Sequence, residues 1–590
     1  MADVEMTDGD ETLAPIKILI DELRNDDCQQ RLKSVRRLMT ISTALGPERT
    51  REELVPYLNE MAAEMEDEDE VLLAMAEELG NLIEHVGGKD HAHVLLVPLE
   101  TLCAMEEALV RDKAVESLNK VAEVLPNAEE SFVPLLRRLA TGDYNSTRIA
   151  AAPLFSTVYK RVDSSKTEMR QMFSQLCKDD IPMVRKAACS ALGGFAQVLQ
   201  AAHLNAELIP LFAKLAHDDQ DSVRIVAVDN CVTLGKILPS DKTQQLVFPV
   251  IRQLQQDKSW RVRYMVADHF CELCDTVPKE VVESEMTPAL VKFLKDTEAE
   301  VRTAAAFKVT GFCSKISVEL GLQHIMPCVR DLAVDSSQHV RAALASVIMG
   351  LAPVMGKNNT IEQLLPLFLS LLKDDHHEAR LNIICKLDSV NRVIGVECLA
   401  QSLLPAIIEL AEDKQWRVRL AIIEHIPLLA SQMGVKFFEE RLSKMCITWL
   451  ADSVYTIREA ATENLKKLTE VFGVEWAGVN VVPPVLDMCT HSNYLYRMTA
   501  VTSLAVLGSA VGREGLKGML PAVLAAVKDP VPNCRFNACK AIQVLVPQLE
   551  PSVLDGTVRP ALHALSSDDD PEVKFFAAKA LNSCMQVAGA

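Results

Sequence analysis

The side chains in this sequence that could do chemistry are few, and each set is incomplete. Cys271 and Cys274 form a C-x-x-C pair that resembles half of a zinc or redox motif, but no second pair follows at usable spacing. They read as buried helix thiols. His91-x-His93 and the adjacent His376 and His377 could offer imidazoles to a metal, yet neither pair has a third ligand close by, and His376 falls in an expected turn. There is no Gly-rich phosphate loop, no HExxH and no GxSxG. The residues indicate no enzyme, no metal and no cofactor.

What the sequence does repeat is a basic residue with an acid six positions before it, as in DKSWRVRYMVAD at 257–268. Steps of 39 from Arg263 land on Arg302, Arg341, Arg380, Arg419, Arg458 and Arg497, and backwards on Arg224. Arg185, Arg535 and Lys574 extend the ladder. The matching acids are Asp179, Asp218, Asp257, Asp296, Asp335, Asp374, Asp413, Asp452, Asp529 and Asp568, with His491 as the exception. A period near 40 with this self-similarity is the mark of stacked helical hairpins. Less regular rungs at Arg148, Arg111, Leu72 and Arg31 bring the expected number of repeats to fifteen.

The elements that hold the ladder follow from the residues around it. Offsets −1, +3, +7, +10 and +14 from the rung give Val223, Ala227, Cys231, Leu234 and Leu238, then Val262, Val266, Phe270, Leu273 and Val277, then Val301, Ala305, Val309, Phe312 and Ile316. Steps of 4, 4, 3 and 4 draw one stripe on a 3.6-residue helix, the predicted core. Pro182, Pro532 and Pro571 each stand three before a rung, and proline favours a first helical position, so this second helix starts there. The acid then lies in the turn between the paired helices, and the Asp–Arg ladder reads as structural, an exposed row worth ~0–1 kcal/mol per pair. A proline also recurs in the first half of most units, at 39-residue steps from Pro210 to Pro405, where it either starts or bends the first helix. The prediction is an all-α solenoid over 13–590, after a polar, acidic and disordered 1–12.

A formal net charge of −20 argues against binding a phosphate backbone and fits basic protein partners. The opening MADVEMTDGDET carries acids where a secretory signal would carry basic residues. The most apolar uncharged runs, 342–356 and 498–512, are shorter than the roughly 18 residues of a membrane span. Neither secretion nor membrane insertion is expected. The sixteen cysteines sit mostly at apolar helix positions, as ordinary thiols of a reduced compartment. The acid run Glu60, Glu64, Glu66, Asp67, Glu68, Asp69 and Glu70 reads as a solvated turn, with a docking patch for a basic surface as the alternative.

One register departs from a structural expectation. Three residues before the rung most repeats carry something small, polar or proline, but four carry an aromatic: Trp260, Trp416, Tyr455 and Tyr494. Rings at a solvent-facing turn, beside Arg261 and Arg417, have the composition of an interface hot spot.

The blocks DKSWRVRYMVAD (257–268), HVRAALASVIMGL (339–351), NTIEQLLPLFL (359–369) and AEDKQWRVRLAIIE (411–424) resemble the scaffold subunits of type 2A protein phosphatases. The resemblance implies a superhelical horseshoe of fifteen HEAT repeats, without catalytic activity of its own, in the cytoplasm and also the nucleus. It implies that repeats 11–15, about 400–590, hold the catalytic subunit through Trp416, Arg417, Tyr455, Tyr494 and Val531. Repeats 1–10 would hold an exchangeable regulatory (B-type) subunit, with Asp179, Pro182, Arg185, Trp260 and Arg261 as its contacts. The rival reading is an importin-like carrier of basic cargo, which would show three-helix repeats near 42 residues and a Trp and Asn ladder.

Overall fold

The computed structural model describes residues 23–25, 27–65 and 68–588. The acidic terminus 1–12, Pro15, Glu66 and Asp67 lie outside the described residues. The chain divides into two compact units, Met1–Lys308 and Val309–Ala590. In each, antiparallel helix pairs stack on the next pair, with no strand among the described residues. This is the all-α solenoid expected from the period.

The second helix of each pair begins where the proline register places it, three residues before the rung. In the first unit Ala108–Val124, Pro182–Ala196 and Asp221–Ile237 start so, and in the second unit His377–Ile384, Trp416–Met433, Tyr455–Phe472 and Pro532–Leu545 do. The acid six before the rung makes the turn. Its Oδ1 accepts the N–H two residues on, as Gln220 N–H donates to Asp218 at 3.0 Å and Val454 N–H to Asp452 at 2.8 Å, a side-chain turn that replaces a backbone bond. The predicted stripe is the core: Val223, Ala227, Cys231, Leu234 and Leu238 are all buried, as are the ten equivalent residues of the next two repeats.

The first-helix prolines neither start the helix nor bend it unaided. Pro210, Pro249, Pro288, Pro327, Pro366 and Pro560 each take the second place of an α-helical segment preceded by a five-residue π-turn, such as Leu204–Leu208 before Ile209–Leu215. Proline lacks the N–H for the i−4 bond, and the wider turn absorbs the clash of its ring. Pro134 and Pro405 instead lie inside continuous helices, and Pro521 inside the helical stretch that follows Gly512. In the second unit, Gly356, Gly395, Gly434, Gly473 and Gly512 join one repeat to the next at φ +68° to +93°, a left-handed conformation that disfavours a side chain. Gly512 breaks the apolar 33-residue run Tyr494–Ala526 into two helices, half of whose apolar window is buried in the core.

Candidate protein-docking edge

The ladder is built by one side chain serving two repeats. Arg185 donates Nη1 to the carbonyls of Asp179 and Asp180 in its own turn, at 2.8 and 3.0 Å, while Nε and Nη2 grip the carboxylate of Asp218 in the next turn at 2.6 and 3.0 Å. The same fork joins Arg148 to Asp179, Arg224 to Asp257, Arg263 to Asp296, Arg341 to Asp374, Arg380 to Asp413, Arg419 to Asp452, Arg497 to Asp529 and Arg535 to Asp568. Arg302 donates Nη1 to the carbonyls of Asp296 and Thr297 at 2.8 and 3.1 Å, and the Asp335 carboxylate accepts the Ser337 N–H at 2.8 Å.

The expectation of an exposed ladder is corrected here. Arg224 and Asp257 side chains are 5% and 6% exposed, so each pair carries a desolvation cost and breaks expensively. Burial pushes the Asp218 carboxyl up, but the hydrogen bond from Arg185, the Gln220 N–H and the charges of Arg185 and Arg224 outweigh it and hold the group below the usual range. At Asp568 the hydrogen bond from Arg535 leads in lowering it. The row also starts with a substitution: Arg31 pairs with Glu68, so one member of the acid run is a ladder partner and not a solvated turn charge.

Beside this row lie the aromatic residues. In the first unit Trp260 opens helix Trp260–Asp268, is 37% exposed, and has the Arg261 guanidinium 5.7 Å from its ring centroid. In the second unit Arg417 sits 4.7 Å over Trp416, and Arg458 5.7 Å from Tyr455. Tyr455 is 62% exposed and Tyr494 is 39% exposed, whereas Trp416 is half-buried, so the view that all four rings stand clear of the fold holds least for Trp416. Val531 is half-buried and caps helix Pro532–Leu545, its N–H on Asp529 at 2.9 Å. Pro182 opens its helix, while Asp179 and Arg185 are both committed to the ladder.

Apolar exposure on the first unit extends past the residues singled out from sequence. Leu109, Tyr144, Ile181 and Met183 all lie within four residues of a rung on the N-terminal side, and Tyr144 and Met183 are 73% and 60% exposed. Their signal was apolar residues on the wrong side of the core stripe. The rest of the candidate chemistry is ordinary: Cys271 donates its thiol to the Lys308 carbonyl at 3.6 Å, Cys274 is buried, and burial pushes the Cys189 thiol up to about 12. Among the described residues no three His, Cys, Asp or Glu side chains converge as a metal set.

Family models match the chain in three stretches: a PPP2R1A-like HEAT repeat at residues 279–356, a PIK3R4-like middle domain at 16–276 and a HEAT repeat at 519–549. Over 203 residues it is 55% identical to the alpha isoform of the Arabidopsis thaliana 65 kDa regulatory subunit of serine/threonine-protein phosphatase 2A, covering 34% of each chain. Over about a third of its length this chain is similar to phosphatase 2A scaffold subunits. The beta isoform of the human 65 kDa protein is 56% identical over 196 residues, 33% of this chain and 32% of its own, and the Dictyostelium discoideum scaffold subunit 53% over 199 residues, 33% and 34%. The matched stretch thus spans about a third of each curated relative. Among solved structures, the karyopherin Kap121p bound to the SUMO protease Ulp1p has TM-score 0.59 at 15% identity over 91% of this chain and 57% of its own. Kap95p with RanGDP has TM-score 0.57 at 11% identity, over 99% and 88%. These likenesses show the stacked-helix fold and do not favour the carrier reading.

Proposed function

We propose that the chain is a non-catalytic scaffold whose intra-repeat turns hold the catalytic subunit of a type 2A serine/threonine phosphatase together with a regulatory subunit. The observation that carries the reading is identity of 53–56% with proteins named as phosphatase 2A regulatory or scaffold subunits. The chemistry of the edge supports it. Trp416, Arg417, Tyr455, Tyr494 and Val531 dock the catalytic subunit, where an arginine stacked on an aromatic holds the ring in a ready conformation and lowers the entropy lost on binding. Trp260, Arg261 and Pro182 dock the regulatory subunit, with Asp179 and Arg185 fixing the turn that presents them.

Titration of the catalytic subunit tests the division. Tyr455→Ala removes a ring that is mostly in solvent, so it should cost about 2 kcal/mol or more in affinity and leave the melting temperature near the parent's. Trp416→Ala should cost as much affinity, with some stability lost because the ring is half-buried. Trp260→Ala should leave affinity for the catalytic subunit unchanged and impair binding of the regulatory one. Equal losses of that affinity from Trp260→Ala and Tyr455→Ala would end the assignment.

A further inference from the structure

Arg458 is a rung whose acid is missing. Its Nη1 donates to the carbonyls of Asp452 and Ser453 at 2.8 and 3.2 Å, the anchorage that Arg185, Arg224 and Arg419 also use. The next position in the ladder is His491, 33 residues on, the same separation as from Arg419 to Asp452. His491 performs half of the aspartate's work. Its Nδ1 accepts the Asn493 N–H at 3.0 Å, which forms the turn, and its ring lies 4.4 Å from the Tyr496 ring. It brings no negative charge. The Nε and Nη2 edge of Arg458 therefore has no carboxylate among the described residues, although the residue is only 8% exposed. A guanidinium left this way is strongly disfavoured unless something pairs with it.

A second rung lacks its acid, and the contrast is informative. Arg111 faces Gly142, six before Arg148, and its Nε is sealed from solvent without a partner. Arg458 instead lines a groove of about 410 Å³. Val506, Ala541 and Val544 give the groove an apolar wall, and Lys540 adds a second cation, its Nζ 4.8 and 4.2 Å from the Phe536 and Phe576 ring centroids. The acids of the groove are the exposed Glu459 and Glu463, the latter paired with Lys466 at 3.8 Å.

We propose that this groove is a carboxylate-docking site: an Asp or Glu side chain of a protein seated on the second-unit edge forms a bidentate ion pair with Arg458, the pairing that a ladder aspartate makes with its arginine elsewhere. The occupant is a carboxylate because the same fork, anchored the same way, grips a carboxylate at 2.9 Å through both Nε and Nη2 in the preceding repeat. It is part of a protein chain because the wall beside it is apolar and suits a neighbouring side chain. Tyr455, whose ring lies 5.7 Å from the same guanidinium, joins the groove to the docking edge. The inference rests on the scaffold reading for the identity of the chain that brings the acid.

The test fills the place from within. His491→Asp restores the ladder's own acid and His491→Asn keeps the turn acceptor without charge. Each variant, with the parent and Arg458→Gln, is melted alone and titrated with the phosphatase catalytic subunit. His491→Asp should melt higher than the parent and bind about tenfold or more weakly, because the intramolecular aspartate excludes the partner's acid. His491→Asn should match the parent in both, and Arg458→Gln should weaken binding. If His491→Asp melts higher but binds like the parent, or if it gains no stability, the proposal is overturned. Stabilisation of the parent by inorganic phosphate, absent in His491→Asp, would replace a protein carboxylate with a free anion and overturn it too. Failure of the parent itself to bind the catalytic subunit would instead remove the scaffold reading, and this inference with it.

Discussion

Arg224→Ala is the sharpest probe of what holds the repeats in register. The parent side chain makes Nε and Nη2 bonds of 2.7 and 2.8 Å to Asp257 and Nη1 bonds of 2.7 and 3.1 Å to the carbonyls of Asp218 and Asp219. Truncation leaves the Asp257 carboxylate, 6% exposed, with the Ser259 N–H at 2.8 Å as its remaining donor. Direct attraction at this separation is roughly 5 kcal/mol at an effective dielectric of about 20, and desolvation offsets part of it. Breaking a buried pair from one side costs about 3–5 kcal/mol, against less than about 1 kcal/mol for an exposed pair, so about 3 kcal/mol is expected here. Because repeats interact with their neighbours only, the loss should be local. Hydrogen exchange should speed in Asp221–Ile237 and in the turn around Asp257, and the urea transition followed by circular dichroism should move to lower concentration. Arg224→Lys keeps the charge without the fork and should fall between parent and alanine. Arg458→Ala, which breaks no carboxylate pair, should cost about 1 kcal/mol. A loss below about 1 kcal/mol for Arg224→Ala would show that the ladder does not fix the register.

Two further outcomes follow from the same geometry. Asp218, Asp296, Asp374, Asp529 and Asp568 have folded pKa values below the unfolded one, so their contribution is complete above the ordinary carboxylate pKa of about 3.9 and is lost as pH falls through the folded values. Melting temperature should be flat with respect to these groups from pH 7 to about 5 and drop steeply below about 4; a drop starting near pH 6 would point to other groups. Gly473→Ala meets no atom within 4 Å but must hold φ +93°, so it should cost about 1 kcal/mol from backbone strain, whereas Gly508→Ala, whose Cβ would lie 2.3 Å from a Leu545 methyl, should cost more through the clash; thermal melts of the pair give the order.

Much of the fold was legible because a repeat states its rules many times. The offsets from the rung located the buried stripe and the first residue of each second helix, since helical period and proline register are local properties. The burial of the ladder was not legible. Asp257 and Arg224 are 33 residues apart, and their shielding comes from two turns closing over them, which spacing along one chain does not display. The π-turns before Pro210 and its equivalents were hidden for a related reason: proline announces a missing hydrogen bond, not how the preceding turn widens to accommodate it. At the candidate docking edge the aromatic register was visible, but the half-burial of Trp416 and the exposure of Tyr144 and Met183 depend on neighbouring turns.

The central claim is that one chain carries two different proteins at once, and reconstitution measures that directly. Purified chain, type 2A catalytic subunit and the regulatory subunit are mixed and resolved by sedimentation with mass determination. The account predicts a 1:1:1 assembly that forms only when this chain is present, with the catalytic subunit lost first when Tyr455 is replaced by Ala and the regulatory subunit lost first when Trp260 is. Competition between the two partners for the chain, or a chain that sediments alone in their presence, would contradict it.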